Sequence, residues 1–346
     1  MSNPETRPRA AIFGCAGERL LESERRFFAA ANPLGFILFE RNCKNPDQVL
    51  ALVKSFRDCV EREDAPVLID QEGGRVVRLK PPHWRVLPAA GRIGALAERS
   101  RDAAREAAHL SARIIATDLR PLGINVDCAP LLDVPAPGAH GIIGDRAFAD
   151  DPELVTELGR EFCRGLMEGG VLPVIKHIPG HGRATVDSHQ GLPVVEMHRK
   201  TLEVIDFEPF RQLRDMPIAM TAHVVYRPYD SRNPATTSLK VIRDVVRGHI
   251  GFDGLLITDD LSMKALTGSF AERTTASLEA GCDVVLHCNG RMTEMEEIAG
   301  AAPPMSDAAL ARFDRAKAML SPPKPVKPLV FAARLDSLMA AVAGSA

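Results

Sequence analysis

Large aromatic rings are scarce in this chain: one tryptophan (Trp84) and two tyrosines (Tyr226, Tyr229) among 346 residues. Extended polysaccharide clefts stack exposed rings against the apolar C–H face of a pyranose. With so few rings, a sugar ligand is expected in a short pocket rather than a long groove. Charge of one sign is missing too. Lys and Arg number 43 against 45 Asp and Glu, a formal net charge of −2, so no basic field draws nucleic acid or an anionic membrane. No apolar run approaches the roughly 20 residues that span a bilayer. The polar opening Met1–Pro8 lacks the apolar core of a secretion signal. Seven cysteines (Cys15, Cys43, Cys59, Cys128, Cys163, Cys282, Cys288) are odd in number, scattered and without a CxxC pair. That pattern suits a reducing compartment better than a disulfide framework. The expectation is a soluble cytoplasmic protein, monomeric, with neither nucleic-acid nor membrane partners.

What the chain does contain is strand–helix alternation. Short apolar, β-branched runs bounded by turn residues occur at Ala11–Cys15, Gly35–Phe39, Pro66–Asp70, Asn125–Pro130, Pro173–His177, Ile218–His223, Gly254–Asp259 and Asp283–Cys288. Helical patterns fill the gaps, among them Asp47–Glu61, Ser100–Leu119, Asp151–Glu168, Ser238–Arg247 and Thr274–Ala280. Parallel neighbours need crossover connections, so eight such units point to a (β/α)₈ TIM barrel, whereas a doubly wound open sheet usually has fewer strands. The chain reads as a single domain, 1–346, with the barrel over about 9–320. The proline-rich run Ser321–Pro328 predicts an extended strap, and the apolar-periodic Leu329–Val342 predicts a terminal helix in the extension 321–346.

Titratable groups cluster where the predicted strands end. After the buried run Val171–Ile175 the sequence breaks into Lys176-His177-Ile178-Pro179-Gly180-His181-Gly182 and closes with Asp187-Ser188-His189. A rigid strand that delivers such groups onto a glycine-rich loop is how α/β enzymes build sites. The third strand ends Asp70-Gln71-Glu72-Gly73-Gly74-Arg75 and runs on to Arg78, the arrangement either of a site or of a plain turn. Asp127 and Asp133 on the fourth strand read as structural carboxylates. Arg146, in Gly144-Asp145-Arg146, either clamps a polar substrate or pairs with a carboxylate. On the seventh strand Asp259 is a carboxylate on a rigid support, as a nucleophile requires, while Asp260 reads as a cap or turn residue. A rival metal site would draw on His177, His181, His189 and Asp187. However, Pro179, Gly180 and Gly182 deny His177 and His181 the helix on which an i, i+4 pair shares a face.

Taken together, these segments resemble the family 3 glycoside hydrolases, and most closely their bacterial single-domain β-N-acetylglucosaminidases. The match runs in order through Asp70–Arg75, Gly144–Arg146, Lys176–Gly182, Asp187–His189 and Thr258-Asp259-Asp260-Leu261-Ser262-Met263, from about residue 10 to 320. The resemblance implies a barrel with no metal and no cofactor. It makes Asp259 the nucleophile, His189 the acid/base and Asp187 the partner of His189. Asp70, Arg78, Arg146, Lys176 and His177 are then the groups that hold an N-acetylglucosamine unit. Thr258, Ile178 and Ala147 depart from the usual Ser, Phe and Ser of the pattern, and Ala147 removes a hydroxyl from the sugar-side loop.

The implied reaction is retaining hydrolysis of a terminal β-linked N-acetylglucosamine from small peptidoglycan-derived saccharides, N-acetylglucosaminyl-anhydro-N-acetylmuramic acid with or without peptide. Phosphorolysis is the alternative within that chemistry, since a histidine acid/base repels phosphate less than a carboxylate does. A metal-dependent hydrolase on the His177/His181/His189 cluster and a non-catalytic sugar-binding relative are the alternatives from other classes.

Overall fold

The computed structural model describes residues 7–138, 141–184, 186–188, 191–320, 322–325 and 327–343. Ten strands occur among them: β1 (Arg9–Phe13), β2 (Pro33–Leu38), β3 (Val67–Ile69), β4 (Val126–Asp127), β5 (Leu172–Ile178), β6 (Val194–Val195), β7 (Ile218–Thr221), β8 (Val225–Tyr226), β9 (Leu255–Asp260) and β10 (Val284–His287). Eight of them close into a parallel barrel in the order β1-β10-β9-β7-β5-β4-β3-β2. The fold is the (β/α)₈ barrel expected from the alternation.

Side-chain alternation along each strand divides the apolar residues into two cores. Ile12, Ile37, Leu68, Val126, Val174, Met220, Ile257 and Leu286 fill the barrel interior, which Met305, Phe313 and Ala316 close from below. Phe13, Phe36, Ile69, Ile175 and Val285 point outward against the surrounding helices. Full burial of a side chain of this size contributes about 1.5–3 kcal/mol, so the strand positions are strongly specified. The helices begin where their caps stand. Asn45, Ser100, Asp151 and Ser306 each accept a backbone N–H of the first turn, and Pro46 and Pro152 start their helices at a position where no N–H is needed.

The fourth strand is shorter than its apolar run. Past Asp127 the pairing with β5 becomes irregular rather than ending: Val174 N–H donates to Ala129 O and Lys176 N–H to Pro130 O, each at 3.1 Å, and a single bridge joins Leu131 to Lys176. The predicted helix Ser238–Arg247 forms instead as a wide, π-type helix over Val241–His249. β6 and β8 pair with each other outside the barrel, and their two residues apiece are too short to read from a pattern. They fasten the far end of the loop after β5 to the loop after β7, with Val225 N–H donating to Pro193 O at 2.9 Å and Arg227 N–H to Val195 O at 3.1 Å.

Beyond the barrel, the strap crosses two helices. Lys324 N–H donates to Glu168 O at 2.9 Å and Lys324 O accepts from Arg113 at 2.7 Å. The terminal helix Pro328–Ala343 buries Leu335 and Leu338, and Arg334 pairs with Glu106. None of the described residues of the strap or the helix borders the cavity at the barrel mouth.

Candidate active site

Irregularity in β5 creates the site. Leu172 and Val174 face the barrel interior, so strict alternation would send Lys176 inward and His177 outward. The β5–β7 register slips between Lys176 and Ile178, which oppose the consecutive residues Met220 and Thr221. One extra residue in a strand re-aims a side chain, and both Lys176 and His177 border the cavity at the mouth. A second slip between β9 and β10 sets Ile257 opposite Val284 and Asp260 opposite Leu286. Asp259 borders the same cavity, whose volume is about 210 Å³. Pockets that hold drug-sized ligands are roughly 300–1,000 Å³, so this one has room for about one sugar ring.

One wall of the cavity is a network of paired charges. The ammonium of Lys176, 2% exposed, lies 2.8 Å from Asp70 Oδ1 and 2.7 Å from Glu72 Oε1. Arg146 grips Glu72 with two parallel bonds, Nε to Oε2 at 2.9 Å and Nη2 to Oε1 at 2.8 Å. Arg78 reaches Asp70 Oδ2 at 3.1 Å and lays its guanidinium 4.8 Å above the Phe39 ring. Arg75 steadies the Arg146 loop by donating to Ile142 O at 2.7 Å and to Asp145 at 3.0 Å. Burial alone would raise the carboxyls of Asp70 and Glu72. Lys176 with Arg78 outweighs it at Asp70, and Lys176 with Arg146 at Glu72, so both lie below the usual carboxylate range. Burial pulls Lys176 the other way, and the two carboxylates overcome it, leaving the amine more basic than usual. These ions stay charged while sealed from water because each has an opposite partner.

The opposite wall orients an imidazole. Asp133 Oδ1 accepts the backbone N–H groups of His177 (3.2 Å) and His181 (2.7 Å), and its Oδ2 meets His177 Nδ1 at 2.8 Å. Burial would raise Asp133, but His177 and the hydrogen bonds it accepts hold it down at about 2. With Nδ1–H given to Asp133, the Nε2 of His177 is the nitrogen that faces Asp259, 4.0 Å from its Oδ2. Asp259 Oδ1 accepts Asp260 N–H at 2.8 Å. Burial would raise Asp259 as well. His177 and His223 outweigh it, and the carboxyl lies below its ordinary value. Asp260 is engaged elsewhere: its carboxylate accepts Ser262 N–H at 3.0 Å, Ser262 Oγ–H at 2.5 Å and Cys288 N–H at 3.2 Å. The structure therefore brings Asp70, Arg78, Arg146, Lys176, His177 and Asp259 around one cavity.

The loop after β5 is tied at several points. Gly182 presses so closely on the β4 loop that an added Cβ would sit 1.9 Å from Val134 O. Arg183 Nε donates to Asp206 at 2.7 Å, and Tyr226 OH donates to Gly180 O. Asp187 is buried and its carbonyl accepts Gly191 N–H at 3.0 Å, while Ser188 borders the cavity and accepts Ala265 N–H at 3.1 Å. His189 lies outside the described residues. Among the described residues no three His, Cys, Asp or Glu gather at a metal-binding spacing. His181 stands edge-on to His177 at 5.6 Å, and burial lowers it to about 4.

Sequence reasoning omitted Glu72 from the site and read Asp133 as structural. Glu72 stands within the quoted run Asp70–Arg75, and Asp133 follows β4 at the carboxyl end of the barrel. The signal for both was position: charged residues just past a barrel strand face the mouth. Asp127 does conform to the structural reading. Its Oδ1 accepts Gln71 N–H at 2.9 Å, and burial pushes its carboxyl well above the ordinary range.

Comparison with known proteins places this geometry among its relatives. The profile described as "Glycosyl hydrolase family 3 N terminal domain" matches residues 19–317. A β-hexosaminidase of Alkalilimnicola ehrlichii is 39% identical over 282 residues, 80% of either chain. NagZ from Neisseria gonorrhoeae in complex with N-trifluoroacetyl-D-glucosamine is 32% identical, with a TM-score of 0.83 over 98% of both chains. The same protein in complex with a zinc ion gives 31% identity and a TM-score of 0.82 over the same share.

Proposed function

Since the chain belongs to glycosyl hydrolase family 3, and is therefore a glycoside hydrolase, we propose that it is a retaining β-N-acetylhexosaminidase. In this reading Asp70, Arg78, Arg146, Lys176 and His177 hold a terminal N-acetylglucosamine unit. Asp259 is the nucleophile, His189 the acid/base, and Asp187 the partner that balances the imidazolium. The observation that carries the reading is the Asp259 carboxylate, which His177 and His223 hold below its ordinary value against its burial, at the edge of a cavity of about 210 Å³ walled by paired charges.

The reaction proceeds in two displacements. An oxygen of Asp259 attacks the anomeric carbon, the glycosidic C–O bond breaks, and the leaving oxygen takes the proton of His189. The sugar is then an ester of Asp259. His189, now neutral, removes a proton from water; the hydroxide adds to the anomeric carbon, and Asp259 departs as a carboxylate. Most retaining glycosidases use two carboxyl groups. A histidine acid carries its proton as a positive charge, which gives a nearby aspartate a role. The substrate is the non-reducing N-acetylglucosamine of a short peptidoglycan-derived saccharide, taken up by one catalytic unit spanning the barrel and its C-terminal extension. Among the described residues no helix is long and apolar enough to cross a membrane.

Mass spectrometry after incubation with a 2-acetamido-5-fluoro glycosyl substrate tests the nucleophile. A single sugar adduct is expected on the peptide containing Asp259. An adduct on any other residue removes Asp259 from its role.

A further inference from the structure

The end of β9 outruns its neighbour on one side. The β7–β9 register stops with Met220 opposite Ile257, whereas β9 continues to Asp260 and carries Asp259 on the way. On the β10 side that end stays fastened: Asp260 Oδ1 accepts Cys288 N–H at 3.2 Å, and Leu261 N–H donates to Leu286 O at 2.9 Å. On the β7 side a side chain takes over from the ladder. His223, beyond the end of β7, sets its Nε2 3.1 Å from Asp260 O.

Donor and acceptor counting fixes which ring nitrogen carries the proton. A carbonyl oxygen only accepts, so Nε2 is the N–H. His223 is fully buried, and burial lowers it below its ordinary value. The ring is therefore neutral at pH 7, and Nδ1 keeps its lone pair. Thr236 Oγ1, 2.7 Å from Nδ1, must then donate there, rather than to Ala222 O, which lies farther off at 3.1 Å. A hydroxyl has one proton, so across the 2.8 Å between Thr221 Oγ1 and Thr236 Oγ1 it is Thr221 that donates. Both threonines are buried, and the bonds run one way, from Thr221 through Thr236 and His223 to the backbone of Asp260.

We propose that His223 is a positioning residue for Asp259, and that Thr236 selects the tautomer with which it acts. The bond to Asp260 O anchors the free side of the strand end, and Asp260 N–H in turn donates to Asp259 Oδ1 at 2.8 Å. A nucleophile on an unanchored strand end would swing away from the line of attack, and small misplacements are costly to a displacement reaction. The proposal rests on the hydrolase reading above, with Asp259 as the attacking group. It predicts an effect on the chemical step, because neither His223 nor Thr236 borders the cavity.

The test has two arms on the full-length protein. In the first, the wild type, Thr236→Val and Thr236→Ser cleave 4-nitrophenyl N-acetyl-β-D-glucosaminide. Thr236→Val removes the hydroxyl at nearly constant volume and is expected to lower kcat by about ten- to a hundred-fold while KM stays within about three-fold. Thr236→Ser restores the donor and is expected to keep kcat within about three-fold of the wild type. An unchanged kcat in Thr236→Val, a loss confined to KM, or an equal loss in Thr236→Ser overturns the proposal. In the second arm, ring 15N spectra of histidine-labelled wild type at pH 7, with the His223 signals assigned by their loss in His223→Gln, are expected to show the Nε2–H tautomer. A ring protonated at Nδ1 overturns the proposal even if the valine variant does not fold. A wild type that leaves the glycoside uncut ends the hydrolase reading and this proposal with it, whereas every other outcome bears on His223 alone.

Discussion

Asp133 holds three donors at once, and that load can be separated from its effect on chemistry. Replacement by Asn presents an amide where His177 Nδ1–H needs an acceptor. The ring then loses the contact that fixes which nitrogen faces Asp259. Asp133→Asn is expected to lower kcat by roughly 10²–10⁴-fold with the fold intact by circular dichroism; an unchanged kcat would remove the orienting role. Stability should respond as well. The folded carboxyl lies at about 2 against 3.8 for a free group, so the folded state binds its proton less readily than the unfolded chain. That difference is worth about 2 kcal/mol above pH ~4 and is lost as pH falls through ~2. Urea titrations of the two proteins should therefore differ at pH 7 and converge near pH 2. The sequence displayed Asp133 but not this duty, because its partners at positions 177 and 181 become neighbours only when β4 and β5 close side by side. Asp259 and Lys176 were easier to single out, since each ends or interrupts an apolar strand run and cannot be buried cheaply without a partner.

Within elements, what decided the site was small departures from regularity. The apolar runs located all eight barrel strands to within a few residues, because a strand buried on both faces writes a continuous signal. The slip at His177 and the pairing of β6 with β8 left no such trace. A bulge depends on what lies opposite, and two residues have no period. Gly182 is where the loop geometry is most exposed to test. A methyl group there would meet Val134 O at 1.9 Å, and neither loop has slack, since Ala136 N–H donates to Gly182 O at 3.0 Å. Gly182→Ala is expected to cost about 1–3 kcal/mol of stability and to displace Asp187 and Ser188 from their positions, so kcat/KM should fall by at least about ten-fold, a shift worth 1.4 kcal/mol. A variant with wild-type melting temperature and turnover would mean that the two loops are not held together there.

Across the whole molecule, the barrel and its C-terminal extension divide the labour. The extension buries Leu335 and Leu338 and pairs Arg334 with Glu106, yet none of its described residues borders the mouth. A chain ending before Ser321 is expected to melt several degrees lower, since each buried leucine contributes about 1.5–3 kcal/mol, while keeping kcat/KM within about two-fold, under 0.5 kcal/mol. Equal loss of turnover and stability would give the extension a part in catalysis. The proline run that leads into it was legible as a strap. The backbone bonds of Lys324 to two helices were not, because they depend on where those helices lie. The confined mouth, with room for about one ring, fixes how long chains would be degraded. In the proposed reading a free terminus enters there, so a solution of polymer is expected to release monosaccharide steadily while its viscosity hardly changes, the reverse of what an enzyme cutting mid-chain produces.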